Sequence, residues 1–69
     1  MTRLAALAAA TGYELDEIRG PDRDPSLVAA RRRIARTLHA EGTSINQIAD
    51  MMHRARSTIR NLLTGRGWE

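Results

Sequence analysis

The 69-residue chain has no cysteine, no lysine and no phenylalanine, and its aromatic side chains are Tyr13 and Trp68 alone. Each absence closes off a class of chemistry. Without cysteine there is no disulfide staple, no thiolate zinc centre and no cysteine nucleophile. With two aromatics, the stacking platforms of single-stranded nucleic-acid and RNA modules are missing. No apolar run approaches the roughly 20 residues that span a bilayer. The opening MTRLAALAAA has the flavour of a signal peptide, but its apolar run of about seven residues is at the shortest limit and Thr11-Gly12 follow without a cleavage pattern. A cytoplasmic, nucleoid-associated protein is expected. The histidines His39 and His53 have no triad partner in reach and cannot hold a metal without carboxylate help. No enzyme activity, metal, cofactor or small-molecule ligand is expected.

What is present is arginine. All 11 basic residues are arginine against 8 acids, for a net charge of +3. Coding bias can explain the missing lysine; it does not explain the distribution. Residues 1–25 hold three arginines and five acids (Glu14, Asp16, Glu17, Asp22, Asp24). Residues 51–66 hold Arg54, Arg56, Arg60 and Arg66 and no acid. A basic C-terminal part points to a polyanionic partner, against the plainer reading of a solvated charged face.

The length admits one small domain, over 1–69, of a few short helices or a small barrel. The alanine-rich start favours a helix capped by Thr2, with Leu4, Leu7 and Ala8 as its stripe and Gly12 as its stop. Tyr13, Leu15 and Ile18 predict a one-turn helix or a tight turn. After the loop Gly20–Pro25, Asp24 caps a long helix with Pro25 at its first position. Leu27, Ala30, Ile34 and Leu38 share one face of that helix, which runs from Ser26 to Glu41 and stops at Gly42. Arg31 points close to this stripe, so it either snorkels to the edge or pairs with Asp16 or Glu17. Arg32, Arg33 and Arg36 point away. Ser44-Ile45-Asn46-Gln47 matches the capping box and opens a short helix with Ile45, Ile48, Ala49 and Met52 inward. His53-Arg54 forms a turn. A last helix from about Ala55 to Leu63 has Ala55, Ile59, Leu62 and Leu63 inward, and residues 64–69 read as a loose tail.

Two short helices joined by a tight turn, the second basic at its start, read as a helix-turn-helix over about residues 44–63. Ala49 is small enough to let the second helix cross closely, and Ile59 locks that helix down. None of Arg54, Arg56, Ser57, Thr58, Arg60 and Asn61 is needed for the core. An arginine gives two hydrogen bonds to a guanine, worth about 1–3 kcal/mol of discrimination. Hydroxyls and free helix-terminal amides suit phosphate oxygens. The expected base contacts are Arg56, Thr58, Arg60 and Asn61, and the expected phosphate contacts include Arg54, Ser57 and Arg66. His53, where glycine is common, should face solvent or phosphate, and His39 suits the carbonyls of a helix end. A membrane-surface role for the Ser26–Glu41 helix is the weaker use of its stripe.

From Thr11 to Leu63 the chain resembles the C-terminal DNA-binding domain of the bacterial replication initiator DnaA. The resemblance is carried by Gly12-Tyr13-Glu14-Leu15-Asp16-Glu17-Ile18, by Ala30-Arg31-Arg32-Arg33-Ile34-Ala35-Arg36-Thr37-Leu38, by Gly42-Thr43-Ser44-Ile45-Asn46-Gln47-Ile48-Ala49, and by His53-Arg54-Ala55-Arg56-Ser57-Thr58-Ile59. The last segment is similar to the family's Gly-Arg-Asp-His-Ser-Thr-Val signature. The resemblance implies a compact all-α, TrpR-like domain of four to five helices with its recognition helix in the major groove. It also implies that the loop before the long helix approaches the DNA, with Arg23 as its basic residue. Ala55 and Arg56 stand where the family has Asp-His, so the same site need not be read. Residues 45–63 also resemble the more general helix-turn-helix of resolvases and repressors.

The expected function is binding of double-stranded DNA, as a transcriptional regulator of phage or phage-derived genes. The rival is an interaction module, engaging a replication or transcription component or forming a homodimer through its N-terminal half. An excised domain of a larger replication or regulatory protein is a further alternative.

Overall fold

In a computed structural model, residues 3–64 are described, and five α-helices account for their regular structure. They are α1 (Arg3–Thr11), α2 (Leu15–Arg19), α3 (Pro25–Ala40), α4 (Ile45–Met52) and α5 (Arg56–Thr64). The fold is all-α, as expected. Thr2, Gly65, Arg66 and Trp68 lie outside the described residues.

The long helix α3 is the axis, touching each of the other four, while α4 packs on α5 and α1 on α2. Its buried face carries Leu27, Val28, Ala30, Ile34, Ala35 and Leu38. Every other helix adds a fully buried anchor to this stripe: Leu4 from α1, Ile18 from α2, Ile48 and Met52 from α4, and Ile59 from α5. At about 1.5–3 kcal/mol for each large aliphatic side chain taken from water, these contacts are the main force holding short helices together. No described helix is long and apolar enough to cross a membrane.

The helix starts follow the sequence. The Asp24 carboxylate accepts from the Ser26 amide at 3.2 Å, with Pro25 at the first position of α3. The capping box before α4 is formed in both directions: Gln47 N donates to Ser44 Oγ at 3.2 Å, and Ser44 N donates to Gln47 Oε1 at 3.1 Å. Three helix ends share one closing pattern. Tyr13 N bonds Ala8 O, Thr43 N bonds Leu38 O, and Arg54 N bonds Ala49 O. This six-residue closure requires a left-handed residue just before the donor. Gly12 (φ 88°) and Gly42 (φ 97°) fill that place in the first two cases. His53 fills it in the third, with φ 55° and ψ 45°.

Some inward expectations change. Ile45, Leu7 and Leu63 are half-buried rather than enclosed, and Ala55 is exposed. Ala55 precedes α5, and its carbonyl accepts the Ile59 amide, so the helical wheel does not yet govern its side chain. Thr64, expected in the tail, is the last residue of α5.

Candidate nucleic-acid interface

Helix α5 presents two faces. Ile59 and Leu62 are buried against α3 and α4, and Leu63 is half-buried. Arg56, Ser57, Arg60 and Asn61 are all exposed. At about 100° per residue these four fall within an arc of about 140°. The face therefore carries two bidentate cations, a hydroxyl and an amide with no acid among them. At its start, Arg56 Nη1 donates to Asn46 Oδ1 of α4 at 3.3 Å. Ile45, Ala55, Ser57 and Arg60 complete a shallow groove around that pair.

Thr58 lies on the flank of α5, half-buried. It borders a cleft of about 320 Å³ with Arg23, Arg31 and Arg54, over an apolar floor of Pro21, Val28 and Leu62. Among the described residues no carboxylate lines this cleft.

The turn between α4 and α5 is fastened to the α2–α3 loop by arginines donating to backbone carbonyls. Arg19 Nε donates to Met51 O at 2.9 Å, at the end of α4. Arg54 Nη2 donates back to Gly20 O. Gly20 O also accepts from Arg31 Nη2 at 2.8 Å. Arg31, only 4% exposed, further donates through Nε to Ile18 O, through Nη2 to Glu17 O and through Nη1 to Asp22 O. Gly20 sits close under its own helix end: a Cβ there would stand 3.0 Å from the Asp16 carbonyl oxygen, so a larger residue requires that backbone to shift by a few tenths of an ångström. Burial first, and then the charge of Arg54, push the Arg31 guanidinium below the ordinary arginine value, while Asp22 opposes them.

Two helices, a tight turn closed by a left-handed residue, a buried lock at Ile59 and an acid-free outer face form one unit. The family model described as Helix-turn-helix domain matches residues 28–65, more than half of the chain. The chain belongs to the helix-turn-helix domain family. No curated protein and no solved structure matches it. A helix-turn-helix fits a DNA partner through the second of its two helices.

Within that helix-turn-helix, the expected site residues divide into two groups. Arg56, Ser57, Arg60 and Asn61 come together on the outer face of α5. Thr58, Arg54 and Arg23 meet at the cleft instead, so Thr58 is set apart from the three expected base readers. Arg66 lies outside the described residues. Arg31 is structural, as its place near the stripe implied, but it neither snorkels nor pairs with a carboxylate: its acceptors are four carbonyl oxygens. Arg32 does not simply point away, since its Nε donates to Leu62 O of α5 at 3.3 Å. Arg33 and Arg36 are exposed.

Sequence reasoning missed Arg19 and Asn46. Arg19 carried no signal, because a carbonyl acceptor 32 residues away leaves no mark on residue type. Asn46 could have been found: it is the second residue of α4, where a helix-turn-helix brings its first helix against the start of its second.

Proposed function

We propose that the protein binds double-stranded DNA with α5 in the major groove and regulates transcription. The observation that carries this reading is the outer face of α5, where Arg56, Ser57, Arg60 and Asn61 are exposed together with no acid. In this reading Arg56, Arg60 and Asn61 touch base edges. Arginine matches the two acceptors of guanine, and the asparagine amide matches the donor–acceptor pair of adenine. Ser57, Arg54 and Arg23 touch phosphates, which sets the register of the helix on the duplex.

The resemblance to the DnaA C-terminal domain supports the same docking. Arg54, Ser57 and Thr58 occupy positions of that family's signature, and the loop holding Arg23 borders the same cleft as Thr58. With Ala55 and Arg56 in place of Asp-His, the site read here differs. Arg56 reads a guanine where that family uses histidine.

The test is a fluorescence-anisotropy titration against duplex DNA over a salt series. Binding should weaken steeply as salt rises, with a slope that counts the neutralised phosphates. No binding at low salt, or an affinity flat with salt, would sink the proposal. Selection from a random duplex pool then gives the site: a palindrome means a dimer reads it, and a single asymmetric site means a monomer does.

A further inference from the structure

The cleft beside α5 combines features that a plain solvated surface does not. Arg23, Arg31 and Arg54 converge on it, Thr58 lines the same space, and among the described residues no carboxylate does. Arg31 is already committed to four carbonyls, so it contributes a fixed charge at the back. Arg54 gives one Nη2 bond to Gly20 O, and a guanidinium has five N–H donors, so it retains donors for a second acceptor. Among the described residues Arg23 makes no ion pair. Pro21, Val28 and Leu62 add apolar surface beside these charges.

We propose that this cleft seats a single phosphoryl group, held by Arg23 and Arg54, with the Thr58 hydroxyl as a third donor and Arg31 as the charge behind it. Tetrahedral phosphate oxygens accept several hydrogen bonds at once, and arginine forks match them in geometry as well as charge. The cleft opens beside the recognition helix, so the backbone phosphodiester of a duplex docked on α5 is one source. A free phosphorylated ligand is the other, with the same chemistry. The backbone source rests on the DNA-binding reading above; the seat itself does not. Thr58 then fixes the position of α5 along the backbone and does not read a base.

The probe is inorganic phosphate, titrated into the full chain against sodium chloride of matched ionic strength. Binding is followed by amide and arginine side-chain NMR shifts. Shifts should concentrate at Arg23, Arg54 and Thr58. Arg23→Ala should weaken phosphate about tenfold and Thr58→Val about fivefold, the effects of losing one charge-assisted and one ordinary hydrogen bond. Arg23 makes no described ion pair and Thr58→Val keeps the side-chain shape, so neither variant should disturb the fold, which the same spectra report. Shifts scattered over all arginines, or unchanged affinity in both variants, would overturn the seat.

A second arm adds duplex DNA. If DNA expels phosphate, and Thr58→Val weakens all duplex sequences alike with an unchanged salt slope, the backbone is the occupant. If phosphate stays bound while DNA binds, the backbone source is overturned and the seat serves a free phosphorylated ligand. If phosphate binds and no duplex does, the DNA reading fails while the seat stands.

Discussion

Arg31 and Arg56 are the same residue type used in opposite ways, and they mark two regions of the molecule. Around Arg31, with Arg19 and Arg54 beside it, guanidinium groups turn inward and saturate backbone carbonyls of the α2–α3 loop and the α4 end. On α5, Arg56 and Arg60 stand in solvent. The difference teaches that a net charge of +3 says little about which cations meet a polyanion. Part of the positive charge is structural cement. In that place lysine could not substitute, since a single ammonium cannot reach four carbonyls spread over Glu17 to Asp22 with fixed fork geometry.

The sharpest way to break this contrast is Arg31→Met, which keeps the aliphatic stem and removes the donors. Each carbonyl left unsatisfied costs about 1–3 kcal/mol, less where water reaches the loop. A domain of this size has roughly 3–10 kcal/mol in total. Urea denaturation should therefore show a loss of at least about 3 kcal/mol, with much of the chain unfolded at room temperature, and Arg31→Lys should recover little of it. A stable Arg31→Met variant would mean that the carbonyls find water at no cost.

Next comes the pair that should separate the regions. Arg56→Ala should leave the urea midpoint within error and cost about 1–3 kcal/mol in affinity for the preferred site, with less loss on other sequences. Arg54→Ala belongs to both regions. It should lower stability by about 1 kcal/mol through the lost Gly20 bond, weaken every duplex and reduce the salt slope by about one unit. If Arg56→Ala instead destabilises the fold as Arg54→Ala does, the division between inner and outer arginines fails.

A smaller effect is expected at the turn. His53 holds a left-handed conformation that Gly12 and Gly42 hold at the other two ends of the same kind. His53→Gly should raise stability by about 0.5–1 kcal/mol, read as a higher melting temperature. The smallest effect concerns the exposed ion pair of Arg3 and Glu41, which ties α1 to the end of α3. The Arg3 hydrogen bond holds the Glu41 carboxyl below the usual glutamate range. Any contribution is thus complete above the unfolded glutamate value and fades as pH falls through the lower folded one. Glu41→Gln should be marginally less stable at neutral pH, with the difference vanishing in acid and in high salt.

The legible parts of the fold are local. Asp24-Pro25, the Ser44/Gln47 box and the stripe Leu27–Leu38 each involve partners within a turn or two, so residue type and spacing carry them. The helix-turn-helix itself follows from such local cues and from the charge of α5. What could not be read is set by tertiary distance and by the acceptor's nature. Arg54 reaches Gly20 across 34 positions, and Arg32 reaches Leu62 across 30. In each case the acceptor is a main-chain oxygen, which every residue possesses, so no pairing pattern exists to find. Thr58 lies in the first turns of α5, which by spacing alone suggests a base contact. Its place on the flank depends on how that helix is rotated against α3, which buries Leu62 and sets Thr58 at the cleft.

The choice of main-chain oxygens as acceptors also bears on how this domain can change over generations. The carbonyls of Glu17 and Asp22 survive any substitution, so the Arg31 bonds do not depend on those side chains, although the Glu17 carboxylate also accepts the Glu14 amide and the Asp22 carboxylate the Asp24 amide. Ile18 is constrained by the core, Gly20 by the tight space beside Asp16 O and Asp24 by its cap on α3, but the inward arginines ask nothing of the Pro21 and Arg23 side chains. A lineage can therefore redraw the surface flanking its recognition helix while the three inward arginines keep the geometry fixed.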